Sequence, residues 1–273
     1  MSKIAMIVSN PCTGDARVIK MAESAARNGH EVHVFATIGK NAMPYEVKNG
    51  VYYHRIEWKP GALIGELFLL KLIKPLSKSL SVYFIKKLVP FLKYKYFKNI
   101  FIEHITALNP EIIHSHDLIC LPLGVEAAKL TDAKVVYDAH ELEVHRNPPL
   151  PFFQKRFVAH MEKKYGKQTN EVITVGAHIA DILSKELNKK INILYNSPII
   201  EPSLYTIRGD LGLDDKIPLI IYVGKVTLGR GVEDILALLP KLPHIHFATI
   251  GPCDSKIKPV SYTHLTLPTK RIV

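Results

Sequence analysis

Short apolar runs alternate with amphipathic stretches along most of the chain, and the transitions fall at Gly, Pro, Asn or Asp. Apolar runs at 3–9, 31–37 and 51–58 predict strands, and apolar residues at helical spacing predict a helix from about 15 to 28, which Gly29 ends. This strand-loop-helix-strand beginning is typical of the first unit of a doubly wound parallel sheet.

The same alternation continues through the rest of the chain. It predicts strands at 112–113, 135–137, 171–175, 192–195, 219–223 and 246–250, with helices at 153–166, 177–187 and 232–239. Residues 198–215 lack a clear period and contain several Pro and Gly residues, which indicates a linker. The sequence therefore predicts an α/β protein with an amino-terminal domain at 1–197, a linker at 198–215 and the start of a second domain at 216–259.

Polar side chains gather where two predicted strands end. Ile112-Ile113 is followed by HSHD, ending at Asp117, and Val135-Val136-Tyr137 is followed by DAHE, ending at Glu141. Ligands bind at the carboxyl ends of the strands in parallel sheets, so two such clusters on one edge favour a functional site. The structural alternative is that these residues cap helices and satisfy loop amides.

The loop after the first strand, NPCTG, has Gly14 where a dinucleotide-binding fingerprint would need three glycines. Cys12 and Arg17 invite comparison with phosphatase loops, but four residues separate them instead of five. We therefore interpret this loop as a helix cap near a substrate.

The net charge of the chain favours an anionic partner but does not say which one. The net charge is +11 with a pI near 9.4, which favours nucleic acid, phospholipid head groups or nucleotide phosphates. The three cysteines lack the spacing of a zinc site or disulfide framework, and no signal peptide is evident. We expect a cytoplasmic protein.

Residues 59–98 carry nine lysines and one acid, Glu66, among Leu, Ile, Phe and Tyr. Pro75 and Pro90 predict short helices, and each apolar run is shorter than the ~20 residues of a membrane span. One interpretation is docking to an anionic membrane surface on the inner membrane face. The other is an amphipathic helix pair that covers the sheet. The absence of arginine and the apolar content argue against nucleic acid.

The order of several motifs resembles the retaining nucleotide-sugar glycosyltransferases of family 4, which have the GT-B fold of two Rossmann-like domains. The stretches that carry the resemblance are DARVIKMAESAARNGHEVHVFA, IIHSHDLICLPLGVEAAKL, VVYDAHEL, VITVGAHIADIL, ILYNSP and YVGKVTLGRGVEDILALLPKLPHIHFATIG. Together they cover most of residues 1–251. The resemblance implies a hexosyltransferase-type enzyme that moves a sugar from a nucleotide-sugar donor to a glycan or lipid-linked acceptor, in envelope polysaccharide synthesis.

The resemblance also implies roles for individual residues. Lys225 and Arg230 match the two basic residues that contact the donor diphosphate, in the reverse of the usual order. His116 matches a histidine near the transferred sugar and is expected to be the catalytic residue, and Gly14 matches the glycine loop that faces the donor. The acceptor side is implied for Asp138, His140 and Glu141. A metal or other cofactor is not expected, since fixed cations and loop amides stabilise the leaving diphosphate.

Three alternatives remain open from the sequence. His114 and His116, on one face of a strand, could ligate a metal. A GT-B-like sugar-nucleotide epimerase would share the sheet pattern, and a non-catalytic membrane-binding module would use the basic segment.

The carboxyl-terminal part of the sequence departs from the family pattern. Relatives continue to a pair of glutamates separated by seven residues, which does not follow Gly251 here, so we expect a truncated second domain and an inactive fragment. Val260 to Thr269 reads VSYTHLTLPT, which resembles the translation of a transposase sequencing adapter. We therefore expect native sequence to stop near Pro259 and residues 260–273 to be a non-native tail.

Overall fold

The computed structural model describes residues 1–58, 78–146, 149–198 and 206–254, without the side chains of 78–91. The chain divides into two compact units, Met1–Ser197 and Pro198–Val273. Pro75, residues 199–205 of the predicted linker and the tail at 260–273 lie outside the described residues.

The first unit alternates strands and helices over most of its length. Its strands are β1 (Lys3–Ile7), β2 (Glu31–Thr37), β3 (Tyr45–Lys48), β4 (Val51–Ile56), β5 (Ile112–His116), β6 (Lys134–Ala139), β7 (Glu171–Thr174) and β8 (Asn192–Ile193). Its helices are α1 (Ala16–Arg27), α2 (Lys78–Leu108), α3 (Asp117–Thr131), α4 (Phe152–Gly166) and α5 (Ala177–Leu187), with a 3-10 turn at Glu143–His145.

The strands of this unit form one twisted sheet in the order β3-β4-β2-β1-β5-β6-β7-β8, within the described residues. Every neighbouring pair is parallel except β3 with β4. The chain moves outward from β1 to β2 and then returns to β5 on the other side. In a doubly wound sheet, such a reversal opens a crevice at the carboxyl ends of the two central strands.

Helices cover both faces of the sheet because its central strands are apolar on both sides. On one face, Val18 and Ala22 of α1 pack against β1, β2 and β4. On the other face, the buried aromatic residues Phe97 and Phe101 of α2 pack against Ile7 and Phe35. α1 starts cleanly because the Asp15 carboxylate accepts a hydrogen bond from the Val18 amide.

The prediction that Pro90 separates two short helices is wrong. Pro90 lies inside α2, which runs without a break from Lys78 to Leu108. A proline removes one backbone hydrogen bond and costs about 3 kcal/mol in a helix interior. The four buried side chains Tyr94, Phe97, Phe101 and Ile105, at helical spacing, provide packing that offsets this cost.

That packing also bears on the membrane interpretation of residues 59–98. Tyr94 and Phe97, two aromatic residues of this segment, lie in the core with at most 3% exposure. From Tyr94 onward α2 is thus an amphipathic helix that covers the sheet. Residues 59–77, with Lys59, Lys71 and Lys74, lie outside the described residues, as do the side chains as far as 91.

Gly124 allows α3 to lie directly against β5. A Cβ at this position would come within 2.0 Å of the Ser115 Oγ and 3.3 Å of the Ile113 Cγ2. We expect Gly124→Ala to reduce the free energy of unfolding by about 1–3 kcal/mol, the usual cost of overpacking a core. Urea denaturation followed by circular dichroism measures the change.

A second substitution separates this clash from a general helix effect. The Ser115 Oγ is buried without a hydrogen-bond partner among the described residues, so Ser115→Ala alone should cost little. Because it removes the atom that the new methyl meets, Ser115→Ala should restore most of the stability of Gly124→Ala. A double variant as unstable as Gly124→Ala would contradict the proposed contact.

The second unit contains a smaller parallel sheet within the described residues. Strands β9 (Leu219–Val223) and β10 (His246–Ile250) pair in parallel, and helices α6 (Ile207–Leu211) and α7 (Val232–Leu238) flank them, followed by a 3-10 turn at Leu239–Lys241. Its core is formed by Val226, Val232 and Phe247. Gly224 and Gly251 approach so closely that a Cβ on Gly251 would lie 2.1 Å from the Gly224 carbonyl oxygen.

Among the helices of the described ranges, none combines the length and apolar character needed to cross a bilayer. This agrees with the short apolar runs in the sequence.

Candidate functional site

The last three residues of β5 place a histidine pair in the interior. His114 is 7% exposed, and Ser115 and His116 are fully buried. Alternate residues of a strand share a face, so the two imidazole rings stack with centroids 4.2 Å apart. The chain then turns at Asp117, whose φ of 63° is in the left-handed region that Asp tolerates better than most residues.

Asp138, at the end of the neighbouring strand β6, is fully buried and paired with Arg17 of α1. The Arg17 Nε donates to Asp138 Oδ2 at 2.8 Å, and its Nη2 donates to Oδ1 at 2.7 Å. The Arg17 Nη1 also donates to the Leu194 carbonyl at 2.7 Å. This bidentate ion pair fixes the carboxylate at the crevice between β1 and β5–β6.

Both site histidines contact the same carboxylate oxygen. The His116 Nδ1 lies 3.2 Å and the His140 Nε2 lies 3.1 Å from Asp138 Oδ2. On its other side, the His140 Nδ1 lies 3.4 Å from the Asp117 Oδ1. Arg17, His116, Asp138, His140 and Asp117 therefore form one network, which we call the Asp138 network.

Burial and charge set the protonation states of this network. Burial would raise the pKa of Asp138, but hydrogen bonds from His116, His140 and Arg17 hold it well below its usual value. Burial lowers the pKa of His116 despite the opposing hydrogen bond to Asp138, and it lowers that of His114 further. Asp138 is therefore ionised and His114 is neutral at pH 7.

The pKa values of His140 and Asp117, at the partly exposed end of the network, are raised. Burial lowers the pKa of His140, but its hydrogen bond to Asp138 and the charge of Asp117 outweigh that and raise it. Burial, with further nearby carboxylates, raises the pKa of Asp117 to about 6. The charge of the network therefore changes near neutral pH at its partly exposed end.

The His116 Nδ1 lies 3.2 Å from the Asp138 Oδ2 and 3.3 Å from the His140 Nε2. Donation to the ionised carboxylate, which only accepts, would place the hydrogen of neutral His116 on Nδ1 and leave a lone pair on Nε2. The His116 Nε2 is buried without a partner among the described residues. A buried unpaired acceptor is costly in a folded protein.

His114, His116 and Asp138 are also the residues that could hold a metal ion, among those that the structure describes. Each offers a ligand atom, and these atoms lie within 4.8 Å of one another. However, Arg17 already donates to both oxygens of Asp138, so a cation here would adjoin a guanidinium. The hydrogen bonds account for the burial of Asp138 without a metal.

The loop after β1 is held by its own side chains. The Asn10 Oδ1 accepts from the Cys12 amide at 2.8 Å, and the Asn10 Nδ2 donates to Asp15 at 2.8 Å. Burial and the charge of Asp15 raise the pKa of the Cys12 thiol to about 12. A phosphatase nucleophile needs a thiolate and a free arginine, so the structure contradicts that comparison.

Gly14, in the same loop, is exposed and open on its Cβ side. A Cβ there would meet nothing within 4 Å, and φ lies outside the left-handed region. The fold therefore does not require glycine at this position.

The remaining predicted residues lie outside the Asp138 network. Glu141 is exposed, and its charge is a small contributor to the raised pKa of Asp117 after burial. Lys225 and Arg230 lie in the second unit, in the loop from Gly224 to Gly231. Both are exposed, without an ion-pair partner in the described part of the chain. Gly229 and Gly231 in this loop have φ of 78°.

Sequence patterns placed Asp117 in the HSHD cluster but did not reveal the role of Arg17. Arg17 lies in the first turn of α1, about 100° around the helix from Val18 and off the side that the apolar spacing predicts to be buried. The apolar spacing therefore gave no signal of its burial, which depends on the pairing with Asp138.

Residues 16–197 match the sequence family described as Glycosyltransferase Family 4. An uncharacterized glycosyltransferase of Methanocaldococcus jannaschii is 24% identical over 245 residues, which are 84% of this chain and 56% of that protein. The chain thus spans about half the length of this curated relative.

Solved structures of similar fold include three with named sugar chemistry. Sucrose-phosphate synthase from Thermosynechococcus elongatus superposes with a TM-score of 0.68 at 14% identity, covering 96% of this chain and 68% of that one. Anabaena HepE in complex with UDP and glucose superposes with a TM-score of 0.60 at 11% sequence identity, covering 96% of this chain and 64% of that one. The lipopolysaccharide outer core galactosyltransferase WaaB superposes with a TM-score of 0.57 at 15% sequence identity, covering 95% of this chain and 63% of that one.

Proposed function

Because the chain belongs to glycosyltransferase family 4, we propose that it acts in transfer of a hexose from a nucleotide-sugar to a glycan or lipid-linked acceptor, with retention of configuration. The observation that carries the proposal is the Asp138 network, which places His116 at the carboxyl end of β5 within the matched residues. The α/β fold predicted from the sequence is confirmed, since the large parallel sheet matches GT-B glycosyltransferases.

His116 is the proposed catalytic residue. Its Nε2 is buried in this structure, so this role requires that the end of β5 opens to substrate, whereupon the Nε2 lone pair would accept a hydrogen bond from a hydroxyl of the transferred sugar or of the acceptor. Because its pKa is lowered, the imidazole is a neutral acceptor and not a cation at pH 7. Its proposed role is to orient the hydroxyl, and Asp138 keeps the ring in the tautomer that this requires.

We propose Lys225 and Arg230 of the second unit as donor-binding residues, and we propose Gly14 of the first unit separately as a residue of the loop that faces the donor. The two exposed cations can neutralise a diphosphate whose negative charge grows as the glycosidic bond breaks. The complexes of HepE with UDP make uridine diphosphate sugars the first donors to test. We propose that this stabilisation needs no metal ion, and the open side of Gly14 leaves room for a sugar or phosphate.

Acceptor binding is assigned to the partly exposed end of the network. His140 and Glu141 are the groups with exposed surface, whereas Asp138 is fully buried and acts through the two histidines. A lipid-linked envelope glycan, used at the cytoplasmic face of the membrane, is the proposed acceptor class. The similarity of fold to a lipopolysaccharide galactosyltransferase motivates this choice.

The activity is tested with the complete product of the gene that encodes this sequence. It is incubated with a panel of nucleotide sugars and acceptors, with and without EDTA, and the anomeric configuration of the product is read by proton NMR. We expect diphosphate release that depends on the acceptor, resists EDTA and yields a retained anomer. Conversion of the donor sugar without an acceptor would instead identify an epimerase, and inversion would contradict the proposed stereochemistry.

Substitution of the two donor-side cations tests the assignment of the diphosphate site. We expect Lys225→Ala and Arg230→Ala each to weaken binding of UDP at least roughly tenfold, since a hydrogen bond to a charged group contributes about 1.5–3 kcal/mol. Isothermal titration calorimetry measures the affinity. Lys241→Ala removes another exposed cation of the second unit and should leave the affinity unchanged. Equal affinities in all three variants would refute the assignment.

A further inference from the structure

Helix α4 presents two phenylalanines to solvent at its amino-terminal end. Phe152 is 67% exposed and Phe153 is 77% exposed, with ring centroids 5.6 Å apart. Single exposed apolar residues are ordinary, but two adjacent phenylalanines exposed to this degree indicate a surface that meets a partner.

The same side of the helix is cationic. Arg156, Lys163, Lys164 and Lys167 are all exposed, and the Arg156 guanidinium lies 5.9 Å from the Phe152 ring centroid. At about 100° per residue, these four positions and the two phenylalanines fall within about 120° of the helix circumference. We call these six residues the α4 surface.

No exposed carboxylate offsets this charge within 152–167. The acidic residue of that stretch is Glu162, which is fully buried and accepts a hydrogen bond from the Tyr137 hydroxyl at 2.7 Å. The opposite side of α4 is anchored in the core by Val158 and Tyr165. The helix is therefore fixed to the first unit by one side and exposed on the other.

From this geometry we propose that the α4 surface docks the protein on a bilayer rich in anionic lipids. The phenylalanine rings enter the boundary between head groups and acyl chains, while the cations contact lipid phosphates along the helix. The helix is about 22 Å long, from about 1.5 Å per residue. Because its cations extend from Arg156 near one end to Lys167 at the other, contact of all of them with lipid phosphates places the helix axis along the membrane plane.

A bilayer explains both features better than other anionic partners. Phenylalanine has no polar atom with which to read a base edge, and the Arg156 guanidinium lies near the Phe152 ring on which a base would stack. A protein partner would need acidic groups facing four cations. The surface of an anionic bilayer offers negatively charged phosphates for the cations and, directly beneath them, an apolar region for the phenylalanine rings.

The test is co-sedimentation of the full chain with vesicles of phosphatidylcholine alone or mixed with phosphatidylglycerol. We expect binding to the mixed vesicles that declines with salt, and weak binding to the neutral ones. Phe152→Ser/Phe153→Ser should lower the partition coefficient on the order of tenfold. Lys163→Gln/Lys164→Gln/Lys167→Gln should lower it about a hundredfold at low salt, from about 1 kcal/mol per cation.

Matched controls show whether vesicle binding depends on the α4 surface or on exposed apolar residues and positive charge anywhere on the chain. Met43→Ser/Val47→Ser removes exposed apolar residues elsewhere, and Lys48→Gln/Lys129→Gln/Lys134→Gln removes exposed cations elsewhere; both should bind as the original chain does. Unchanged thermal melting confirms that the phenylalanine variant is folded. Equal binding to both vesicle types, or full binding by either α4 variant, would overturn the proposal.

Two other outcomes would also overturn it. One is a dimer without lipid that Phe152→Ser/Phe153→Ser dissociates, seen by sedimentation velocity. The other is binding of a single-stranded oligonucleotide, but not of vesicles, through the three lysines. Vesicle binding is measured without donor or acceptor, so it does not depend on the proposed transferase activity. Conversely, the same two substitutions in the complete product of the gene should leave the rate of transfer to a water-soluble acceptor unchanged.

Discussion

Arg17→Met is expected to lower the free energy of unfolding by about 3–5 kcal/mol, the usual loss when one partner of a buried ion pair is removed. The Asp138 carboxylate would remain fully buried, having lost two hydrogen bonds of 2.7 and 2.8 Å. Arg27→Met is the matched control, because Arg27 is on the same helix but its side chain is 64% exposed beside Glu23. That control should change stability by less than about 0.5 kcal/mol.

The stability loss caused by Arg17→Met should depend on pH in a defined direction. The pKa of Asp138 is depressed in the folded protein, so its stabilisation is present above the unfolded value and is lost as pH falls. The difference between Arg17→Met and the original chain should therefore shrink in acid, where the carboxyl is neutral. Arg17→Met/Asp138→Asn should be more stable than Arg17→Met, because it leaves no uncompensated charge.

NMR of the histidine rings provides a readout that a general loss of packing would not give. The Arg17 charge lowers the pKa of His140 and, more weakly than burial, that of His114. Its removal should raise the titration midpoint of His140. A stability loss equal to that of Arg27→Met, or an unchanged His140 titration, would show that Arg17 does not organise the network.

Glu162→Gln is expected to remove a pH dependence of the order of 3 kcal/mol from the stability of the first unit. Burial raises the pKa of Glu162 to about 7, against a hydrogen bond from Tyr137 that lowers it. Its second oxygen is buried without a partner among the described residues. Since the folded pKa exceeds the unfolded one near 4.5, the folded state binds the extra proton between these values.

The stabilisation by protonated Glu162 is therefore full below about pH 4.5 and is lost as pH rises through about 7. Urea denaturation between pH 5 and 8 should show the original chain weakening relative to Glu162→Gln. Glu103→Gln, which neutralises an exposed carboxylate on α2, should follow the original chain. Parallel curves for all three proteins would mean that Glu162 is ionised at little cost.

The sequence predicted the bounds of those strands and helices that have a clear apolar period and end at turn residues. The bounds of β2, β9, β10 and α5 agree with the sequence, because their apolar periods are clear and their ends fall at turn residues. β3 was not predicted, since only one of its residues is even partly buried. The Asn49-Gly50 turn, with φ of 51° and 76°, was its available signal.

The candidate site was predictable only in part. The strand ends identified His116, Asp138 and His140, because parallel strands deliver their last residues to one edge. They did not identify the pairing of Arg17 with Asp138, which spans 121 residues of sequence. Such a pair depends on how α1 packs over the sheet, and no local period encodes that. The continuity of α2 past Pro90 has the same origin in tertiary packing.

The edges of the two sheets differ in a way that concerns self-association. The large sheet ends in β3, which is four residues long with charged Glu46 and Lys48, and in the two-residue β8. Short or charged edge strands are poor templates for another chain. β9, LIIYV, is uncharged and exposes Ile220, Ile221 and Val223 at 42%, 42% and 73%. Within the described residues, β9 is thus one of two uncharged edge strands of the smaller sheet and the one with more exposed apolar surface, and an added charge at Val223 would oppose pairing with another chain.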